Sequence, residues 1–243
     1  MSNKSYLRIF LSFALLFSIS TVSFPVTGYA QTATQTQVST DLQKGLQAIE
    51  EKVEKRRAEL GIPGMSLVIV KDGEIIYMKG LGYKDFEKKV AVTPDTQFAI
   101  GSATKAFTSL SVLMSADEGK ISLDDSPKKY LPYFKMYDPD TDKNMTVRDL
   151  MNHSSGLNRT DLAMITGRLT RQELIQVAGE AKPMAKLREK WFYQNIMFAA
   201  AGETVAQAQK TPWEKFVPER IFKPLEMTNS TMSMAEMQKA KDY

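Results

Sequence analysis

Cysteine is absent from the 243 residues and histidine occurs once, at His153. Without cysteine there is no disulfide framework and no site for a lipid, so the chain must be held by its core. A zinc site would need His153 together with carboxylates only, an unusual ligand set for that ion, and nothing else in the sequence calls for a metal or a cofactor. A Ser-His-Asp triad would have to use the same histidine, and no G-x-S-x-G turn exists to expose a serine. A large excess of one charge is missing too. The formal net charge is +4 and falls to +2 once residues 1–30, which hold Lys4 and Arg8 and no acid, are set aside. Lys and Glu are interspersed, as in Glu50-Glu51-Lys52-Val53-Glu54-Lys55-Arg56-Arg57, which reads as a solvated helix face and not as a nucleic-acid patch. There are no internal repeats.

The N-terminus carries Lys4 and Arg8, an apolar run from Ile9 to Phe24, and Gly28-Tyr29-Ala30, with small residues where a signal peptidase reads. These are the three parts of a secretory signal peptide. Ser12, Ser18, Ser20, Thr21 and Ser23 interrupt the run and Pro25 ends it, which speaks against an uncleaved anchor. The expectation is cleavage after Ala30, a periplasmic or secreted location, and no membrane attachment afterwards. Residues 31–38 are Thr- and Gln-rich and read as a flexible tail, leaving 39–243 as one domain of ordinary size.

Within that domain a helix is expected from Thr40, with Gln43 completing a capping box, apolar residues Leu42, Leu46, Ile49, Val53 and Leu60 on one face, and Gly61 and Pro63 as its stop. Gly64–Lys71 and Glu74–Gly80 are β-rich runs joined by Asp72-Gly73, which predicts a hairpin with a type I′ turn. The nearly continuous apolar character of the first run predicts burial on both faces. Residues 119–140 read as loop. Thr146 is placed to cap residues 147–152, Thr170 and Glu173 form a second capping box, and Thr211-Pro212-Trp213-Glu214 sets cap, N1 proline and N3 acid for another helix. The many methionines after Met136 read as core filler or surface, not as ligands.

The strongest chemical signal lies in Ala99-Ile100-Gly101-Ser102-Ala103-Thr104-Lys105. If a helix starts near Ser102, residues three apart share a face and the Lys105 amine stands beside the Ser102 hydroxyl. A serine hydroxyl is a weak nucleophile and must pass its proton to a neighbour as it attacks a carbonyl; a lysine accepts it only if burial or nearby charge favours the neutral amine. Phe98 and Ile100 before the pair, and Ala106, Phe107, Leu110, Val112, Leu113 and Met114 after it, predict a central helix whose N-terminal N–H groups face developing negative charge. The same S-x-x-K spacing recurs in Ser126-Pro127-Lys128-Lys129, in a polar stretch that reads as a solvated turn, so the spacing alone does not decide. The chain holds one Y-x-N, Tyr193-Gln194-Asn195, at the entry to an apolar helix; from the loop before that helix both side chains could reach one pocket.

Together, Ile62-Pro63-Gly64 entering a hairpin, Ser102-x-x-Lys105, Leu150-Met151-Asn152-His153-Ser154-Ser155-Gly156-Leu157, Tyr193-x-Asn195 and Ile221-Phe222-Lys223-Pro224-Leu225-Glu226-Met227, in this order, resemble the serine β-lactamase and penicillin-binding-protein-like hydrolases, class C β-lactamases among them. The resemblance implies an α/β (α+β) fold of the β-lactamase/transpeptidase type, with an antiparallel sheet flanked by helices and a helical subdomain. It implies acylation of Ser102, proton transfer by Lys105 and Tyr193, and Asn195 orienting the substrate amide or the lysine. The partner would be a small molecule or peptide: a β-lactam, a D-amino-acid peptide or a short acyl ester. His153 falls in a segment that is a structural turn in this family and is given no catalytic role. The family's third motif, Lys or His followed two residues later by Gly on a later strand, does not occur before Tyr243. That departure predicts an incomplete sheet, lacking its C-terminal strands, and little activity in the chain as it stands. A non-catalytic penicillin binder or sensor is the alternative from another class; a lasting adduct without turnover marks a sensor, and reversible binding without an adduct marks a simple binder.

Overall fold

The computed structural model describes residues 40–160, 162–165, 167–240, 242 and 243. The expected leader and tail, residues 1–38, lie outside them. The chain falls into two units, Met1–Gly45 and Leu46–Tyr243. Of the first, only residues 40–45 are described, the opening turns of α1 (Thr40–Glu59). All that follows concerns the second.

From Leu46 on, α1 carries a half-buried stripe of Leu46, Glu50, Val53, Glu54 and Arg57 at helical spacing, while Ile49 and Leu60 stay exposed. The stripe is more polar than the apolar positions suggested, because it meets the sheet through hydrogen bonds. Tyr77 donates to Glu50 at 2.8 Å, Lys79 pairs with the same carboxylate, and Arg57 reaches the Ile62 and Pro63 carbonyls at 2.5 and 3.2 Å. Gly61, at φ 66°, ends the helix where a left-handed residue is needed.

The sheet orders β1 (Gly64–Lys71), β2 (Glu74–Asp85) and β3 (Val90–Ala91), all antiparallel. Asp72 and Gly73 both have positive φ, 53° and 83°, as the predicted type I′ turn demands. The register pairs Met65 with Leu81 and Ile69 with Tyr77 on one face, and Val68 with Met78 and Val70 with Ile75 on the other. Only the first face is covered. Val68 and Val70 are 53% and 58% exposed, so the expected burial on both faces is not found. An apolar run is buried twice only if an element lies on each side, and α1 meets the sheet on the Tyr77 and Lys79 side, opposite Val68 and Val70.

The core lies among helices. It gathers Val112 from α2 (Thr104–Asp117), the fully buried Leu131, Met145, Leu150 and Leu157 of the connecting segments, Ile175 from α5 (Arg171–Gly179), and Ile196, Met197 and Val205 from α6 (Asn195–Gln209). Met136, Met145 and Met197 fill it as irregular apolar groups do. The segment read as loop ends in a short helix that continues past it, α3 (Pro139–Asn144), capped by Asp138 through a 2.8 Å bond from the Thr141 N–H; α4 (Leu162–Ile165) comes before α5. The expected Thr170–Glu173 capping box forms, and Thr146, expected as a cap, makes a box with Asp149 as well. Helix α7 (Trp213–Val217) begins one residue later than expected, with Pro212 at its cap, and runs into a π-helical turn over Pro218–Phe222. The C-terminal stretch is tied down: Asp242 accepts from the Thr93 and Thr96 hydroxyls and pairs with Lys84 at 2.9 Å.

Candidate active site

Helix α2 is preceded by a 3-10 turn, Gly101–Ala103, that carries Ser102 at the surface. Gly101 sits at φ 52°, a left-handed conformation that redirects the chain at the start of the turn and is open to glycine without penalty. Continuity of the turn with α2 puts Lys105 one turn along on the same side, its Nζ 3.2 Å from Ser102 Oγ. The turn uses its own neighbouring donors, Ala103 N–H toward Ile100 and Thr104 N–H toward Gly101 and Ser102, so those two groups are not the free helix-terminal donors that were expected.

Helix α2 is held in place by α6. The buried face of α2 is Thr108, Ser111, Val112 and Ser115, small enough for the two backbones to approach closely. The Ser111 and Ser115 hydroxyls donate to the carbonyls four residues back, at 2.7 and 2.8 Å, which removes the cost of burying them. The opposite side leaves Leu110 and Leu113 exposed, so α2 is buried on one side and not all round. That departs from the apolar reading for the same reason as in β1: no described element covers it.

The strap leading into α6 delivers the remaining groups. Tyr193 precedes the helix and Asn195 is its first residue, so the amide projects from the helix start and not from the loop. Lys105 Nζ donates to Tyr193 OH at 2.8 Å and to Asn195 Oδ1 at 2.5 Å, and the Ser102 and Tyr193 hydroxyls are hydrogen-bonded to each other. The three protons of the ammonium are thereby aimed at Ser102, Tyr193 and Asn195. All four residues singled out in the sequence meet at one point. Hydrogen bonding from Lys105, then from Ser102, holds the Tyr193 phenol below its ordinary value, with the positive charges of Lys105 and Arg159 acting in the same sense.

Two contributors were not legible. Gln194, the x of Y-x-N, is fully buried; its Oε1 caps α6 at Ile196 N–H, 3.1 Å, and accepts from Thr160, while its Nε2 donates to the Asn158 carbonyl at 2.9 Å. Glutamine is not a favoured cap, so no local signal marks it. Arg159 stands 5.4 Å over the Tyr193 ring, and only the folding of its loop brings it there. The decoy Ser126 caps a 3-10 turn and Lys129 pairs with Asp125 at 2.7 Å, far from any of this chemistry. A cavity of about 400 Å³ opens beside Ser102 and Lys105 and runs past Thr108, Phe198, Gly202 and Trp213. Among the described residues no cluster of three or more acidic or histidine side chains could hold a metal ion, and no helix is long and apolar enough to cross a membrane.

The family model described as Beta-lactamase matches residues 49–243. The chain belongs to the beta-lactamase family. Within this beta-lactamase and penicillin-binding-protein superfamily, Protein flp of Staphylococcus aureus is 31% identical over 199 residues, which are 81% of this chain and 40% of that protein. The octameric penicillin-binding protein homologue from Pyrococcus abyssi has 32% sequence identity and a TM-score of 0.73, over 81% of this chain and 46% of its own. The D-amino acid amidase from Ochrobactrum anthropi SV3, complexed with D-phenylalanine, has 27% identity and a TM-score of 0.65, over 77% of this chain and 51% of its own. The chain thus spans about two-fifths of the length of the curated relatives it matches. In this beta-lactamase-family chain, Ser102, Lys105 and Tyr193 form a serine-hydrolase-type arrangement compatible with an acyl-enzyme.

Proposed function

We propose that the protein is an exported serine hydrolase that cleaves an amide or ester through an acyl-enzyme on Ser102. The observation that carries this reading is the closed set of hydrogen bonds among Ser102 Oγ, Lys105 Nζ and Tyr193 OH. Tyr193, with its phenol shifted toward ionisation, takes the Ser102 proton as Oγ attacks the carbonyl carbon. Lys105 stabilises the phenolate before transfer and holds Asn195 by its Oδ1, the residue that orients the substrate amide or the lysine. Tyr193 then gives the proton to the departing nitrogen or oxygen, the C–N or C–O bond breaks, and the acyl group stays on Ser102. In the second half water loses a proton to the same phenolate and attacks the ester carbon, and Tyr193 returns that proton to Ser102 Oγ as the C–O bond to the serine breaks, releasing the acid.

The substrate class is an amide or ester of small-molecule or peptide size, with β-lactams, D-amino-acid peptides and short acyl esters as members. The D-amino acid amidase and the penicillin-binding protein homologue among the similar structures support that range. Export rests on the leader read in residues 1–30, with the hydrolase domain following from residue 39. Incubation with a fluorescent penicillin and with a fluorophosphonate, followed by intact mass, tests the reading. One adduct on the full-length protein and none on its Ser102→Ala variant is expected; equal labelling of both overturns it, and an adduct that never hydrolyses favours the sensor alternative.

A further inference from the structure

Three consecutive residues of the strap before α6 are held by one residue of an earlier turn. The His153 carbonyl accepts from Phe192 N–H at 2.9 Å, and its Nδ1 accepts from Gln194 N–H at 3.0 Å. Between these two bonds the imidazole lies against the Tyr193 phenol, centroids 4.6 Å apart and planes 28° from parallel. Trp191 and Phe198 close on the ring at 5.2 and 5.1 Å. His153 keeps this posture at φ 62°, a left-handed backbone that costs a non-glycine residue energy and persists where the surroundings hold it.

We propose that His153 is a positioning residue for Tyr193 that works only as the neutral imidazole, so that its protonation releases the strap. This rests on the reading of Tyr193 as the group that takes the Ser102 proton. An Nδ1 that accepts from Gln194 carries no hydrogen, so the ring's single proton is on Nε2. A second proton would arrive at Nδ1, turn the acceptor into a donor facing another N–H, and free the Gln194 end of the strap. Among the described residues the charged and titratable groups around the ring are Lys105 of α2, Tyr193 of the strap and, on that same phenol, Arg159 of the preceding loop. Among the described residues no carboxylate pairs with the imidazole, so nothing there would reward its protonation. Burial first, and the Lys105 charge second, hold the imidazole below its ordinary value, which keeps the clamp closed at neutral pH.

The test uses the full chain with its tyrosines ¹³Cζ-labelled, the Tyr193 resonance being the one absent from Tyr193→Phe; His153 is the only histidine, so its imidazole signal needs no assignment. The Tyr193 resonance should inflect below about pH 6.5, at the same pH as the imidazole. His153→Asn keeps an acceptor and tolerates the left-handed backbone; His153→Phe keeps a ring and loses the acceptor. Both should lose the acid inflection. In saturation kinetics of Ser102 acylation by a fluorescent penicillin, His153→Phe should lower the maximal rate about tenfold or more with the half-saturating concentration unchanged, and His153→Asn should recover most of it. A Tyr193 resonance indifferent to the imidazole titration, in a chain whose circular dichroism is unchanged, overturns the proposal. Absence of acylation in the full-length protein overturns the reading of Ser102 instead, and the resonance experiment still decides the clamp.

Discussion

Lys105 Nζ donates to the Tyr193 hydroxyl across 2.8 Å, although 88 residues of chain separate them. The contact exists because α2 and α6 pack through small side chains, and it turns a lysine that sequence spacing pairs with Ser102 into the group that also tunes a distant phenol. The first expectation concerns this pair. Lys105→Ala and Tyr193→Phe should each slow acylation of Ser102 by about 10²–10⁴-fold while the fold is kept. Lys129→Ala, in the second S-x-x-K, should leave the rate unchanged, since Lys129 only pairs with Asp125. Labelling rates followed by intact mass check all three.

The pH dependence follows from the direction of the Tyr193 shift. Lowering a phenol's pKa enlarges its ionised fraction at any pH below that value, so the acylation rate should rise with pH through an inflection below the ordinary value of about 10. Lys105→Met removes the largest cause and should move that inflection upward. A rate–pH profile in which Lys105→Met and the parent share one inflection would place the titrating base elsewhere.

Asp149 is buried, and Arg188 donates to it at 2.8 and 2.6 Å while the Thr146 N–H and hydroxyl donate at 2.9 and 2.7 Å. Burial alone would raise this carboxyl, yet Arg188 and Thr146 together hold it below its ordinary value. Arg188 is half exposed and Thr146 keeps its bonds to the carboxylate, so Arg188→Ala should destabilise the fold by about 1.5–3 kcal/mol, the range for a hydrogen bond to a charged group. Denaturant titration of the variant reads this directly, and a loss under 1 kcal/mol would contradict it.

Asp242 has its carboxyl lowered to about 2 by Lys84, Thr93 and Thr96. An unfolded aspartate titrates near 3.9, so the bonds contribute fully above that value and are lost as pH falls toward about 2. Asp242→Asn should lower stability at pH 7 by about 1–2 kcal/mol and should flatten its decline between pH 4 and 2. Thermal melts across that range compare the two chains.

Much of the local architecture can be written down from the residues. Asp72-Gly73 dictates the hairpin, Thr170 with Glu173 dictates a helix start, and three-residue spacing on a helix puts Lys105 beside Ser102. Each of these depends on hydrogen bonds and sterics within a few residues, which the chain carries wherever it folds. Long-range packing decided the rest. The Tyr193 and Asn195 side chains reach Lys105 only because α2 and α6 lie close, Gln194 becomes a cap because Asn158 and Thr160 fold over it, and His153 meets Tyr193 because its turn runs beneath the strap. Burial was legible least. Val68, Val70, Leu110 and Leu113 are as apolar as core residues, but composition states only what a side chain would gain by leaving water, and the tertiary arrangement determines whether another element is there to exclude it.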